Sequence, residues 1–189
     1  QADLITGERV VAACDLPQLE NRSRLRDVFR NGGGIGWGEL SPRISGCKRS
    51  STSATYSAAL IPSLPTEIKA RLKAGATIAD VGCGQGAAAC MLGEAYPDAV
   101  VHGCDSHAPS VEAAMSTSQQ RGLRNVSFAV GSVDAFARDA SFDLVCFLDC
   151  FHDMAIAIAA ARHAHRALTS DGMLFLVEPM AATHDSVSE

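Results

Sequence analysis

From residue 76 onward, short apolar runs alternate with amphipathic stretches at a steady spacing. Thr77-Ile78-Ala79-Asp80-Val81 is apolar except for one acid and reads as a buried strand. A glycine turn follows, then an alanine-rich helix that runs to about Tyr96 and stops before Pro97. Ala99–Cys104 reads as a second strand, and Pro109–Gln120 as a helix with Val111, Ala114 and Met115 on one face and Gly122 as its stop. Val126–Val130 and Phe142–Leu148 read as the third and fourth strands. A long helix is expected from about Asp153 to Leu168, with Thr169-Ser170-Asp171-Gly172 turning into a fifth strand, Met173–Val177. Strands alternating with helices at this spacing imply a parallel sheet covered on both faces, and right-handed crossovers make it doubly wound.

The first 75 residues are less regular. Two helical pieces are expected before residue 31, one carrying Leu4, Ile5, Val10 and Val11 and the other Leu25, Val28 and Phe29, with Pro17 between them. The run Gly32-Gly33-Gly34-Ile35-Gly36-Trp37-Gly38 then interrupts regular structure. It reads either as a linker or as a loop that closes over a pocket with Trp37 as its plug. Residues 41–57 lack periodicity, and a short helix follows from about Thr66 to Lys73. The expected division is therefore a helical N-terminal segment, 1–75, and a regular α/β body, 76–189.

Charge follows that division. Residues 1–75 hold 11 Lys/Arg against 7 Asp/Glu, a net of +4, whereas 76–189 hold 5 against 14, a net of −9. So acidic a body is poorly suited to a nucleic-acid backbone. No apolar run approaches a membrane span, and no basic-then-apolar leader opens the chain. The seven cysteines are odd in number and form no CxxC pair. They are expected to be reduced cytoplasmic thiols, with no metal bound. His163 and His165, two apart, cannot share a helix face as ligands. The first methionine is Met91, so a processed or truncated piece is expected.

Ligands in such a sheet sit beyond the carboxyl ends of the strands, where the strand order reverses. The first strand ends there in Asp80-Val81-Gly82-Cys83-Gly84-Gln85-Gly86, and Asp105 follows the second strand, 21 residues beyond Gly84. A carboxylate at that point can accept both hydroxyls of an adenosine ribose. Dinucleotide sites need GxGxxG, whereas this turn is GxGxG with an acid two residues before it. That charge suits a cationic amino-acid end and repels a pyrophosphate, so the residues favour S-adenosylmethionine over NAD.

These motifs resemble the class I S-adenosylmethionine-dependent methyltransferases. The glycine turn matches their first motif, Asp105 their second-strand acid, Phe142–Val145 with Leu148–Met154 their fourth-strand motif, and Leu168–Leu174 the turn into strand five. Phe29–Gly32 through Trp37-Gly38, His152-Asp153-Met154 and Val177–Ala181 resemble a subgroup with a winged-helix-like N-terminal part, often labelled as regulators. The resemblance implies a Rossmann-like, mostly parallel sheet of about five strands in the order 3-2-1-4-5, lacking the usual C-terminal antiparallel hairpin. The exposed fifth strand is then expected either to be covered by residues beyond this chain or to support a homo-oligomer.

The resemblance also implies contacts. Gly82, Cys83, Gly84 and Gly86 would line the methionine and ribose, Asp105 would bind the ribose hydroxyls, and Leu148 and Asp149 would meet the methionine amine, the cationic end that the charge of Asp80 also suits. Tyr56 would reach the cofactor carboxylate. The adenine would lie against Ser106, Ser132, Val133 and Asp134, where the usual bulky residue after the ribose acid and the usual acid at position 132 are absent. A hydroxyl acceptor needs a base, and His152, with Asp153 beside it, is either that base or a residue that caps the long helix or lines the pocket without transferring protons. The expected activity is methyl transfer to a small molecule, leaving S-adenosylhomocysteine. A non-catalytic cofactor-binding regulatory module and an NAD-linked oxidoreductase are the alternatives, the latter disfavoured by the missing GxGxxG.

Overall fold

The computed structural model describes residues 22–39, 56, 59–131, 141–154 and 156–178. The chain divides into two compact units, 1–63 and 64–189. In the first, α1 (Arg22–Asn31) buries none of its residues and leaves Phe29 exposed. Glu39, in the 3-10 turn Trp37–Glu39, accepts from the Gly36 N–H at 2.8 Å and pairs with Arg24 of α1. One carboxylate thus ties the glycine-rich run back to the helix before it. A winged-helix part is not shown among the described residues, and the expected helix before residue 17 lies outside them.

In the second unit, α2 (Thr66–Lys73) precedes β1 (Thr77–Val81), α3 (Ala87–Ala95), β2 (Val100–Asp105), α4 (Ala108–Gln120), β3 (Val126–Val130), β4 (Phe142–Leu148), α5 (Ala157–Ala167) and β5 (Leu168–Val177). The five strands form one sheet in the order β3-β2-β1-β4-β5, and every pairing is parallel. This is the expected Rossmann-like order. β1 and β4 lie at the centre and are almost wholly buried, as their near-continuous apolar sequences require. On one face, Ala160, Ala164 and Ala167 of α5 share a helix side and pack with Ala79, Val81, Val145 and Phe147. On the other, α3 approaches β3 so closely that a Cβ on Gly93 would lie 2.3 Å from Val126. Asn125 secures that approach by donating to the carbonyls of Gly93, Tyr96 and Ala99.

Two element boundaries differ by more than one or two residues from those the sequence suggests. The helix expected from Asp153 begins at Ala157, because Phe151–Asp153 forms a separate 3-10 turn and Met154 is extended. The Asp153 and Met154 N–H groups bond back to the Cys150 and Phe151 carbonyls, each at 3.2 Å and three residues away, and the Glu178 side chain accepts the N–H groups of Cys150 and Phe151. Thr169–Gly172 is part of β5 rather than a turn preceding it. Phe142 pairs with Leu168 and Leu144 with Met173, so two steps along β4 face five along β5, and the surplus forms a bulge. Asp143 and Arg71 organise this corner. Asp143 accepts from Arg71 and, at 2.8 Å, from the Thr77 N–H, while Arg71 donates to the Asp171 carbonyl.

Asp143 is therefore structural, joining α2, β1, β4 and the bulge. The ion pair is partly exposed and screened, so the hydrogen bonds carry most of its worth. Asp143→Ala is expected to cost about 1–3 kcal/mol, the value of a charge-assisted hydrogen bond and the donor left unpaired. Urea unfolding should show a lower midpoint at unchanged slope, and an unmoved midpoint would mean the clamp contributes nothing.

Candidate cofactor site

The parallel order places the carboxyl ends of β1, β2 and β4 side by side, with the strand order reversing between β2 and β4 about β1. At the end of β1, the chain turns through Gly82, Gly84 and Gly86 with φ of 70°, 53° and 76°, all left-handed. Two of these glycines have distinct reasons for being there. A Cβ on Gly82 would lie 2.7 Å from the Cys150 sulfur, so the wall behind the turn is filled. A Cβ on Gly84 would meet nothing within 4 Å, so that part of the turn faces open space. The Gly82 and Cys83 N–H groups bond to the Cys104 carbonyl, fixing the turn to β2.

Asp105, at the end of β2, accepts from the Gly84 N–H through Oδ2 and from the His107 N–H through Oδ1, each at 2.8 Å. Its carboxylate is held in one orientation, and each oxygen retains acceptor capacity for a ligand hydroxyl. Asp80 lies in a different environment. It is buried in the central strand, and its Oδ2 has no hydrogen-bond partner among the described residues. Burial raises its pKa to about 7, opposed by a hydrogen bond from the Ala89 N–H in the first turn of α3 and reinforced by the nearby Asp105 charge. An unpaired buried carboxylate oxygen close to neutrality is suited to a cationic ligand group. Burial also raises the thiol pKa values of Cys83, Cys150 and Cys104, the last to about 12, so all three stay protonated.

Leu148 is buried at the end of β4, and Asp149 follows it with φ of 58°, unusual for a residue with a side chain. A hydrogen bond of 2.8 Å from the Asp149 N–H to the Val177 carbonyl holds that turn. His152 is half-exposed. Its Nδ1 meets Glu178 Oε2, and its Nε2 lies 3.4 Å from Asp153 Oδ1. The Glu178 hydrogen bond is the main cause of a raised His152 pKa. Burial works to raise the Glu178 pKa, but hydrogen bonds from His152 and the Phe151 and Cys150 N–H groups outweigh it and hold the carboxyl below its ordinary range.

The expected site residues Asp80, Gly82, Cys83, Gly84, Gly86, Asp105, Leu148 and Asp149 thus share one edge of the sheet. Ser106 is exposed beside them. Ser132, Val133 and Asp134 lie outside the described residues, and Tyr56 is a buried residue of the first unit. The sequence reading missed Glu178 as a site residue. A carboxylate directly after an apolar parallel strand, at its ligand-facing end, was the available signal.

A doubly wound parallel sheet with a GxGxG turn between two acids is the architecture of the class I S-adenosylmethionine-dependent methyltransferases. Residues 78–172 match the family described as "Methyltransferase domain", and the chain belongs to that family, whose cofactor is S-adenosylmethionine. It is 26% identical over 138 residues to "Probable (S)-tetrahydroprotoberberine N-methyltransferase 2" of Papaver bracteatum, covering 72% of this chain and 38% of that protein. It is 29% identical to "Uncharacterized methyltransferase YcgJ" of Bacillus subtilis (strain 168), over 59% of this chain and 44% of that one. The YcgJ crystal structure superposes with a TM-score of 0.51 over 55% of this chain and 44% of that one. The [4+2]-cyclase SpnF, at 20% identity and TM-score 0.54, covers 88% of this chain and 60% of SpnF, and shows the fold alone. The chain spans about two-fifths of the length of these two curated relatives. Among the described residues, no helix is long and apolar enough to cross a membrane.

The Asp80 environment has a consequence for stability. Its folded pKa, about 7, exceeds the ordinary 3.8, so the folded state binds the proton more tightly. This contribution to stability is full below the ordinary value, declines as pH rises towards 7, and is absent above it. Asp80→Asn keeps an acceptor for the Ala89 N–H without the charge. Compared with this variant, the ligand-free wild type should lose a few kcal/mol between about pH 4 and 7, as read from urea unfolding across pH. Parallel pH profiles for the two proteins would contradict the buried-charge account.

Proposed function

We propose that this chain is the cofactor-binding core of a cytoplasmic methyltransferase that acts on a small molecule. The observation that carries the reading is the left-handed glycine turn set between Asp80, with its unpaired buried oxygen, and Asp105, which is held by the turn's own N–H group. This arrangement fits S-adenosylmethionine at both its charged and its hydroxylated parts. Asp80, with Leu148 and Asp149, serves the amino-acid end. Gly82, Cys83, Gly84 and Gly86 line the methionine and ribose, and Asp105 accepts the ribose hydroxyls. Ser106, Ser132, Val133 and Asp134 are assigned to the adenine.

The bound cofactor supplies an activated methyl group on a cationic sulfur. The protein's part is alignment, because the sulfur becomes neutral as the methyl departs and little leaving-group assistance is needed. The Papaver relative's name supports a small-molecule acceptor. The acidic body supports the same reading, since it disfavours a polyanionic substrate.

Titration calorimetry should show S-adenosylhomocysteine binding and no heat from NAD. Asp105→Ala should weaken S-adenosylhomocysteine by about 1.5–3 kcal/mol, the worth of charge-assisted hydrogen bonds to the ribose. Unchanged affinity in a folded Asp105→Ala protein would remove the ribose assignment, and NAD binding in place of S-adenosylhomocysteine would remove the function.

A further inference from the structure

The glycine turn that ends β1 is backed by one aromatic ring. Phe128 of β3 is the register partner of Gly103 of β2, so the two face the same side of the sheet. A Cβ on Gly103 would lie 2.5 Å from Phe128 Cδ1 and 2.6 Å from its Cε1. A Cβ on Gly86 would lie 2.7 Å from Phe128 Cζ and 2.9 Å from Cε1. The ring therefore occupies the space that side chains at both glycines would need. Ala114 of α4 confines the same space, 2.8 Å from the place of a Gly86 Cβ, and the Cys83 sulfur lies 3.0 Å from that of a Gly103 Cβ.

Gly86 cannot yield to this ring independently of the turn. It caps α3, its N–H bonds to the Cys83 carbonyl, and its own carbonyl accepts the Cys90 N–H, each at 2.9 Å. Three residues further on, the Ala89 N–H bonds to Asp80. Two residues before it, the Gly84 N–H bonds to Asp105. A displacement at Gly86 is thus passed to both acids of the cofactor site.

We propose that Phe128 is a positioning residue for cofactor binding, its ring standing in for the side chains absent at Gly86 and Gly103 and setting how far the glycine turn stands from β2. The proposal rests on the methyltransferase reading and adds to it a residue that acts without touching the ligand. Gly103 is its counterpart. The backbone there is not left-handed, so it is chiefly the ring that excludes an alanine, and removing the ring makes room for that methyl group.

Titration calorimetry with S-adenosylhomocysteine on the folded proteins tests the pair. Phe128→Ala should weaken binding by about tenfold or more, since contacts of this kind tolerate only sub-ångström displacement. Phe128→Leu keeps part of the volume and should weaken it less, and it serves the same comparison where the alanine variant fails to fold. Gly103→Ala should weaken binding in the wild-type background and strengthen it in the Phe128→Ala background. Leu72, fully buried in α2 next to Arg71 and the Asp143 clamp, lies towards the amino ends of the strands. Leu72→Ala is therefore a destabilised control whose affinity should be unchanged. In the ligand-free protein, the Gly84 and Ala89 amide resonances should move in Phe128→Ala and return towards their wild-type positions when Gly103→Ala is added. Unchanged affinity in folded Phe128→Ala, an equal loss in Leu72→Ala, or losses that add when Gly103→Ala joins Phe128→Ala would overturn the proposal. So would Gly84 and Ala89 resonances that stay in place in Phe128→Ala. Failure of the wild type to bind S-adenosylhomocysteine would instead remove the methyltransferase reading, and the amide resonances would then decide the positioning role alone.

Discussion

The site is organised around a carboxylate kept out of water. Asp80 lies on the central strand, between neighbours that are themselves buried, and one of its oxygens has no hydrogen-bond partner among the described residues. A buried, unsatisfied acid opposes folding, and ordinary core residues could fill the same volume without that cost. Its retention makes physical sense if a positive group completes it. The neighbouring features then form a consistent set: glycines let the next loop turn sharply, Gly84 borders open space, and Asp105 is fixed one strand away. The instability resides in the site, while the packing behind it is close.

That packing explains why the site can be precise. The small residues of α5 allow the helix to sit directly on β1 and β4, and Cys150 fills the space behind Gly82. At the amino ends of the strands, Asp143 and Arg71 secure the bulged entry into β5. At the carboxyl ends, Glu178 holds the turn after β4 against the end of β5. The two acids do comparable work at opposite ends of the same strand pair. Only Glu178 also engages a titratable side chain of the ligand-facing edge.

Much of this was legible from the apolar pattern because β1 and β4 are buried on both sides and their sequences state it. The glycine turn and Asp105 were legible because their spacing reflects a local geometric need: positive φ in the turn, and an acid one strand over. What the sequence obscured depends on long-range contacts. Thr169–Gly172 has turn chemistry, and only pairing with β4 makes it a bulge. Asp153 looked like the start of a helix, whereas it closes a separate 3-10 turn and the helix starts at Ala157; the turn's contacts to Glu178, 25 or more residues along the chain, have no local signature. The left-handed φ of Asp149 likewise has no sequence signature, since nothing but the turn between two strand ends demands it.

The claim that Asp80 is an unpaired acid awaiting a cation can be measured directly by following its carboxyl carbon by NMR through a pH titration. In the free protein it should titrate near 7, and with saturating S-adenosylhomocysteine its midpoint should fall by at least about one unit as the ligand's ammonium group favours the ionised form. A free-protein midpoint near the ordinary 3.8, or one that the ligand leaves unmoved, would contradict the account.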